Sequence, residues 1–231
     1  ENTYSENNLA IILMAGGLGK RLLQETKKKP KPLLEFRGKA LLQNFLEELV
    51  DKNLFENIHI SISFKSSLVK KFIDKLYSTS LKLKYIYEKK PLGTAGCLYH
   101  FNKKNFSNFL VLNCDVIRNV EYDDLINFHI KNKSDFTIVT KKHVYQNPYG
   151  VIKFKNKKII DFLEKPDIKF NINIGTYLIS NKVIKLIKHK RKLDMDQLIK
   201  LSIKKKFKVL NYEIYGNVID IGKKNNFEFY R

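Results

Sequence analysis

Hydrophobic positions in the first part of the chain gather into short, nearly unbroken runs: LAIILM (9–14), IHISIS (58–63), LKYIYE (83–88), FLVLNC (109–114) and FTIVTK (136–141). Such runs predict strands buried on both faces. Between them the spacing changes to the three- and four-residue period of amphipathic helices: ALLQNFLEELVDKN (40–53), SLVKKFIDKLY (67–77), GCLYHFN (96–102) and DDLINFHIKN (123–132). Further strands are expected at GVIKF (150–154), KIIDFLE (158–164), IGTYLIS (174–180), FKVLNYEIY (207–215) and NVIDI (217–221), with helices at 180–187 and 195–205. Alternation of this kind predicts an α/β fold, a mainly parallel sheet with helices on both faces, whose ligand lies beyond the carboxyl ends of the strands.

Composition narrows the class of molecule. The 231 residues are 43% hydrophobic, enough for a substantial core, and no linker or repeat divides them, so one domain over 1–231 is expected. No apolar run approaches the roughly 18 residues of a membrane span, and the polar start ENTYSENN has no secretion-signal pattern. Membrane insertion is therefore not expected. The chain opens on Glu1 and not Met, in keeping with a piece of a longer polypeptide. Two widely spaced cysteines, Cys97 and Cys114, make no disulfide framework and point to a reducing cytoplasm. Five scattered histidines lack zinc spacing.

The net charge of +21 raises the question of nucleic acid. Only five of the 44 cationic residues are arginine, and the lysines spread through every segment without a cluster suited to bidentate recognition. Nucleic acid is not expected as the partner. Attraction of small polyanions is the milder consequence.

The chemistry begins in LMAGGLGKRL (13–22), where glycines follow a buried strand. A P-loop needs Gly at position 14 and Ser or Thr after Lys20; Met14 and Arg21 stand there instead. The dinucleotide fingerprint fails at Leu22, where its last glycine belongs, and no acid closes the next strand. Gly16, Gly17 and Gly19 can nonetheless present backbone N–H groups to an anion, with Lys20 and Arg21 adding charge. An ordinary glycine turn with two solvated cations is the alternative. Further on, KKKPKPLLEFRGKALL (27–42) sets Lys31 between Pro30 and Pro32, which predicts an extended backbone and a fixed origin for its ammonium group.

GGLGKRL followed by PKPLLEFRGKALL resembles the signature of the sugar-1-phosphate nucleotidylyltransferases. Further stretches match in family order over nearly the whole chain: EKKPLGTAG (88–96), NCD (113–115), NPYGVIKF (147–154), FLEKP (162–166), NIGTYLIS (173–180) and VIDIGK (218–223). The wording is most similar to guanylyltransferases acting on mannose-, heptose- or glucosamine-1-phosphate. Some of these carry two regulatory nucleotide-binding modules ahead of the catalytic domain, which fits the missing start.

The resemblance implies a Rossmann-like mixed, mainly parallel sheet of the nucleotide-diphospho-sugar transferase type. It also implies a reaction in which an NTP, with GTP favoured, and a sugar-1-phosphate give an NDP-sugar and pyrophosphate. By the same resemblance Arg21 and Lys31 are catalytic, the first on the triphosphate and the second bridging the two reacting phosphates. Ala15, Gly16, Gly17, Gly19, Lys20, Gly93 and Thr94 would bind the nucleotide. Gly150, Glu164, Lys165, Asn173 and Gly175 would bind the sugar phosphate. Asp115 and Asp220 would hold Mg²⁺. Two carboxylates about 4 Å apart repel by roughly 4 kcal/mol at an effective dielectric near 20, so a hard cation keeps both ionised. The attacking phosphate oxyanion is already a nucleophile, consistent with the lack of any nucleophile–His–acid pattern. The family also implies a homo-oligomer.

Four departures stand out: Lys20 for Thr, Gln24 for Pro, Asn113-Cys114-Asp115 for a glycine-containing GD, and GKA (38–40) for GKP. None removes a charge the chemistry needs. They leave open a non-catalytic nucleotide-sugar-binding protein on the same fold. The acidic pairs Asp123/Asp124 and Asp194/Asp196 precede helices and are expected to serve as caps and first-turn acids, and the Tyr and Phe residues to lie mostly in the core.

Overall fold

In the computed structural model, the described residues are 8–16, 29–54, 56–63, 65–77, 81–102, 104 and 106–221. Their strands are β1 (Leu9–Met14), β2 (Glu35–Phe36), β3 (Lys39–Ala40), β4 (Ile58–Ile62), β5 (Lys84–Tyr87), β6 (Asn108–Asn113), β7 (Val116–Arg118), β8 (Phe136–Gln146), β9 (Val151–Lys155), β10 (Lys158–Leu163), β11 (Asp167–Ser180), β12 (Val209–Ile214) and β13 (Val218–Asp220). The helices are α1 (Leu41–Asp51), α2 (Ser66–Tyr77), α3 (Gly93–Gly96), α4 (Tyr122–Lys131), α5 (Asn181–Ile184) and α6 (Met195–Lys204).

Seven strands form one sheet in the order β12-β8-β11-β6-β1-β4-β5. β1 pairs in parallel with β4 and β6, β4 with β5, and β12 with β8, while β11 runs antiparallel to both β6 and β8. The expected mixed, mainly parallel sheet is therefore present, and the single reversed strand is β11.

Alternation along the central strands divides the interior into two layers. Ile11, Leu13, Leu110, Leu112 and Leu178 face α1, α2 and α4, where they meet Leu42, Phe45, Leu46, Val69, Ile73 and Leu125. Ala10, Ile12, Phe109, Val111, Tyr177 and Ile179 face the other side, against Leu98, Val183, Ile184, Met195 and Leu198. The sheet is thus the middle of an α/β/α sandwich, and its central strands expose no edge to water. No helix among the described residues is long and apolar enough to cross a membrane.

Several short elements lie outside the expected pattern, and they carry the site. β7 follows β6 after only two residues and pairs antiparallel with β13, with Asp220 opposite Val116. A small third core of Leu34, Phe36, Leu41 and Ile221, with Ile117 and Ile219 against it, ties the segment after Lys31 to this β7–β13 pair. The segment itself departs from expectation. Pro30 is extended (ψ 147°), but Lys31–Leu33 form a 3-10 turn closed by Leu33 N–H to Pro30 O (2.9 Å) and Leu34 N–H to Lys31 O (3.1 Å). Proline at the start of a helical turn costs nothing, because no donor is needed there.

β8 and β11 are longer than their apolar cores predict. Beyond the sheet they continue as a two-stranded arm, Gln146 opposite Asp167, that leads into the β9–β10 hairpin. The aromatic residues of this arm correct the expectation of core positions: Tyr145, Tyr149, Phe154, Phe162 and Phe170 are all exposed.

Candidate functional site

The carboxyl ends of β1, β5 and β6 converge on a cleft of about 160 Å³ lined by Met14, Ala15, Gly16, Lys31, Pro32, Glu88, Pro91, Gly93, Thr94, Asn113, Cys114 and Asp115. Of the residues singled out in the sequence, Ala15, Gly16, Lys31, Gly93, Thr94 and Asp115 thus meet in one place. Gly17, Gly19, Lys20 and Arg21 lie outside the described residues.

Asp115 sits in the turn between β6 and β7. Its carboxylate accepts a hydrogen bond from Lys31 Nζ at 2.6 Å, and neither side chain is more than a quarter exposed. The backbone of the same residue is fixed from the other side, since Ile221 N–H donates to Asp115 O at 2.9 Å. Asp220 precedes Ile221 and pairs with Val116, so the two aspartates belong to neighbouring positions of one antiparallel ladder. Among the described residues no cluster of three or more His, Cys, Asp or Glu could hold a metal by itself. The Asp115 carboxylate, which already attracts the Lys31 ammonium group, and the carboxylate of nearby Asp220 are the donor type that suits a hard divalent cation whose remaining ligands are water and phosphate oxygens.

A buried arginine supports the turn. Arg118 Nη1 donates to the carbonyls of Asn113 (3.0 Å) and Val116 (2.5 Å), the residues around Asp115, and its guanidinium lies 4.9 Å from the centre of the Phe45 ring. Arg118 Nε and Nη2 are buried without a hydrogen-bond partner. The charge is balanced nearby by Glu48. Burial raises the Glu48 carboxyl above its ordinary value, against the opposing pull of the Arg118 charge and the Tyr122 hydroxyl, which donates to Glu48 Oε1 at 2.8 Å.

Glu88, also in the cleft lining, is 6% exposed and immediately follows β5. Its Oε2 accepts from the Leu92 N–H at 2.7 Å and its Oε1 from the Ser61 hydroxyl. A Cβ at Gly16 would come within 3.3 Å of Glu88 Oε1, so glycine lets the strand end pass close to this carboxylate. Sequence reasoning did not single out Glu88, although it opens the quoted stretch EKKPLGTAG. The available signal was an acid closing an apolar strand. Arg118 carried a fainter one, as an arginine in a lysine-dominated chain.

Gly93 has φ +81°, and a Cβ there would meet Leu193 O and Asp194 Oδ1, each at 2.5 Å. The glycine is thus required by the chain packed behind the cleft. Asp194 does more than begin α6: its Oδ1 accepts from the Thr94 N–H at 3.2 Å, and Thr94 Oγ1 accepts from the Met195 N–H at 2.8 Å. Asp123 and Asp124 do lie in the first turn of α4. The thiols are inert: burial pushes the Cys97 pKa up to about 12, and burial likewise raises that of Cys114.

The residues expected to contact sugar phosphate fall into two groups, neither of which lines this cleft. Asn173 and Gly175 lie where the β11 register shifts, with Asn173 Oδ1 accepting from the Gly175 N–H at 2.9 Å and Asn173 Nδ2 donating to Tyr177 Oη at 2.8 Å. Gly175 has φ +72° and a Cβ would lie 2.7 Å from Asn113 Nδ2, which places the bulge beside the cleft wall. Gly150, Glu164 and Lys165 lie on the arm. A Cβ at Gly150 would stand 2.6 Å from the Phe162 ring and 3.3 Å from Glu164 Oε2. Lys165 Nζ and Glu164 Oε1 are 4.0 Å apart, with both side chains about two-thirds exposed.

A sequence model of the family described as "Nucleotidyl transferase" matches residues 10–228, nearly the whole chain. The chain belongs to the nucleotidyl transferase family. As a member of that family it is 30% identical over 227 residues to mannose-1-phosphate guanyltransferase beta-A of Xenopus laevis, covering 95% of this chain and 62% of the relative. It is 32% identical over 191 residues to mannose-1-phosphate guanylyltransferase catalytic subunit beta of Drosophila melanogaster, covering 80% and 52%. The chain therefore spans between half and two-thirds of the length of the curated relatives it matches. Among solved structures, HddC from Yersinia pseudotuberculosis superposes with a TM-score of 0.74 at 26% identity, over 96% of this chain and 97% of that one. The same protein has been solved complexed with GMP-PN (TM-score 0.73, 26% identity, the same coverage). A putative glucose-1-phosphate thymidylyltransferase from Bacillus anthracis shares the fold at 21% identity, with a TM-score of 0.75 over 96% of this chain and 93% of that one.

Proposed function

We propose that this nucleotidyl transferase moves a guanylyl group from GTP to a sugar-1-phosphate, giving a GDP-sugar and pyrophosphate. A sugar-phosphate oxygen forms a bond to the α-phosphorus as the bond from that phosphorus to the bridging β-phosphate oxygen breaks, and pyrophosphate carries away the electron pair. The observation that carries the reading is the cleft itself, whose lining combines an acceptor-only carboxylate, Glu88, with the Lys31–Asp115 pair.

Guanine presents two adjacent donors, N1–H and the N2 amino group, which a carboxylate can accept together. Adenine offers a donor beside an acceptor on that edge, and uracil a single donor between two acceptors. A buried Glu88 with lone pairs remaining beyond Ser61 and Leu92 suits guanine best. The guanylyltransferase relatives and the GMP-PN complex of HddC support the same choice.

Ala15, Gly16, Gly93 and Thr94 line the same cleft and are assigned to the nucleotide. Gly17, Gly19, Lys20 and Arg21 are assigned to the triphosphate through the resemblance, Arg21 facing the departing pyrophosphate. Asp115 and Asp220 would hold Mg²⁺, which when bound offsets charge on the α-phosphate. Lys31 positions and neutralises phosphate oxygens; leaving Asp115 for a phosphate costs it one carboxylate and gains another anion at similar range. Gly150, Glu164, Lys165, Asn173 and Gly175 are assigned to the sugar phosphate. Mannose-1-phosphate is the first candidate, with heptose- and glucosamine-1-phosphate next, and the two buried, unpaired cysteines suit a cytoplasmic setting.

Pyrophosphate release measured across four NTPs and these sugar phosphates tests the proposal. GTP with one sugar-1-phosphate should turn over at least tenfold faster than any other NTP. Tight GDP-sugar binding with no turnover for any pair would favour a non-catalytic binder instead.

A further inference from the structure

The turn that carries Gly93 and Thr94 is fastened to a segment 100 positions further along the chain. Ala95 N–H donates to Leu193 O at 2.9 Å, and Leu193 N–H donates to Leu92 O at 2.8 Å. Thr94 N–H donates to Asp194 Oδ1 at 3.2 Å, and Met195 N–H donates to Thr94 Oγ1 at 2.8 Å. The two backbones touch directly: a Cβ at Gly96 would stand 2.8 Å from Arg191 O, as one at Gly93 would stand 2.5 Å from Leu193 O. The start of α6 is therefore shared with the cleft. Gln197 Oε1 accepts from Asp194 N–H at 2.9 Å, whereas the N–H of Met195, one of the donors that a helix start leaves over, is satisfied by Thr94.

We infer that Asp194 is a positioning residue for the nucleotide, given the assignment of Gly93 and Thr94 to the nucleotide in the proposed function. By holding Thr94 it sets where that wall of the cleft stands. The turn is anchored by a carboxylate on either side, with Leu92 N–H on Glu88 Oε2 at 2.7 Å and Thr94 N–H on Asp194. Glu88 itself lines the cleft; Asp194 does not, so it reaches a ligand only through Thr94. Its frame of reference is rigid, because Met195 and Leu198 of α6 are buried in the same core layer as Ala95 and Leu98. Thr94 is exposed, so the contact hides little apolar surface and its consequence is chiefly one of position. Of the four hydrogen bonds that join 92–95 to 193–195, only this one depends on a side chain that can be removed without altering the cleft wall. It is also charge-assisted, a class roughly twice as strong as neutral hydrogen bonds.

Calorimetric titration with GTP and steady-state kinetics on three variants test it. Asp194→Ala should weaken GTP binding and raise its KM about tenfold, the value of one hydrogen bond to a charged group. Its kcat and its KM for the sugar-1-phosphate should stay within about twofold of the unaltered chain, the signature of lost binding and not of lost chemistry. Asp194→Asn keeps an oxygen acceptor for Thr94 N–H and a good helix cap, and should restore the KM for GTP to within about threefold. Gln197→Ala loosens the start of the same helix without touching residues 92–95, so it should lower the thermal transition and leave the KM for GTP unchanged. A purely structural role for Asp194 would make the two alanine variants alike. GTP binding unaffected by Asp194→Ala, an equal rise in KM in Gln197→Ala, or an Asp194→Asn as impaired as the alanine variant would overturn the inference alone. An unaltered chain that binds no nucleotide would overturn the proposed function and this inference with it.

Discussion

Lys31 and Asp115, 84 positions apart in sequence, meet in a 2.6 Å ion pair in the lining of the cleft. The pair forms because the small core of Leu34, Phe36, Leu41 and Ile221 fastens the segment after Lys31 to the ladder that flanks Asp115. A cation already rests on the carboxylate assigned to the metal. Lys31→Gln should therefore tighten divalent binding in the absence of nucleotide, read as Mn²⁺ affinity by electron paramagnetic resonance. The same variant should lower kcat/KM by about 10²–10³, the usual cost of removing one cation from phosphoryl transfer. Unchanged Mn²⁺ affinity would show that the pair does not compete with the metal.

Glu88 offers a substitution that preserves shape. In Glu88→Gln the amide oxygen can still accept from Leu92 N–H and the amide nitrogen can donate to Ser61, so both contacts that hold the side chain are kept. The two-acceptor edge is lost. GTP selectivity over the other NTPs should fall by about 10- to 100-fold, the value of one charge-assisted hydrogen bond. Competition kinetics with paired nucleotides would measure it.

Behind the Asp115 turn the buried Arg118 acts as the opposing charge to the half-buried Glu48. Arg118→Met should destabilise the fold by about 3–5 kcal/mol, because Glu48 loses its opposing charge and the carbonyls of Asn113 and Val116 lose their donor. The variant should also weaken the Mg²⁺ dependence of turnover, because the carbonyls on either side of Asp115 are no longer held; adding Glu48→Gln should recover part of the stability in urea unfolding and none of the Mg²⁺ effect. Full recovery of both would mean that Arg118 does not position the turn.

His129 makes stability depend on pH. It is buried, its Nδ1 lies 2.7 Å from the hydroxyl oxygen of Thr137, which gives its own proton to Ser134, and its Nε2 has no partner. Desolvation lowers the pKa from 6.5 to about 4, despite the opposite pull of Asp135. The unfolded chain therefore binds a proton that the folded chain refuses. The stability carried by neutral His129 is complete above about pH 6.5 and is lost as pH falls toward 4, amounting to about 3 kcal/mol at most. Urea unfolding between pH 7 and 4.5 should show this slope, and His129→Gln should flatten it relative to the unaltered chain.

Much of the sandwich was legible because its signals are local. The strand runs at 9–14, 58–62 and 108–113 and the helices at 41–51, 66–77 and 195–204 follow the periods that burial imposes. The strand ends and the family resemblance pointed to Gly16, Lys31 and Asp115, which the structure brings to one cleft, while Gly17 and Gly19 lie outside the described residues. Glu88 and Arg118 were not legible as functional side chains. A carboxylate after a strand and an arginine within one have ordinary surface readings until burial is known.

What the sequence by itself determined was the alternation of strand and helix, the motifs that include Lys31 and Asp115, and the family. Each depends on residue type and near-neighbour spacing. Only the tertiary structure decided that Lys31 enters a 3-10 turn and reaches Asp115, and that the β7–β13 ladder sets Asp220 beside that turn. It also decided that β11 runs against its neighbours and that the arm leaves Phe154 and Phe162 in water. These outcomes rest on which distant segments share a core, and hydrophobic periodicity reports that a face is buried without naming what buries it.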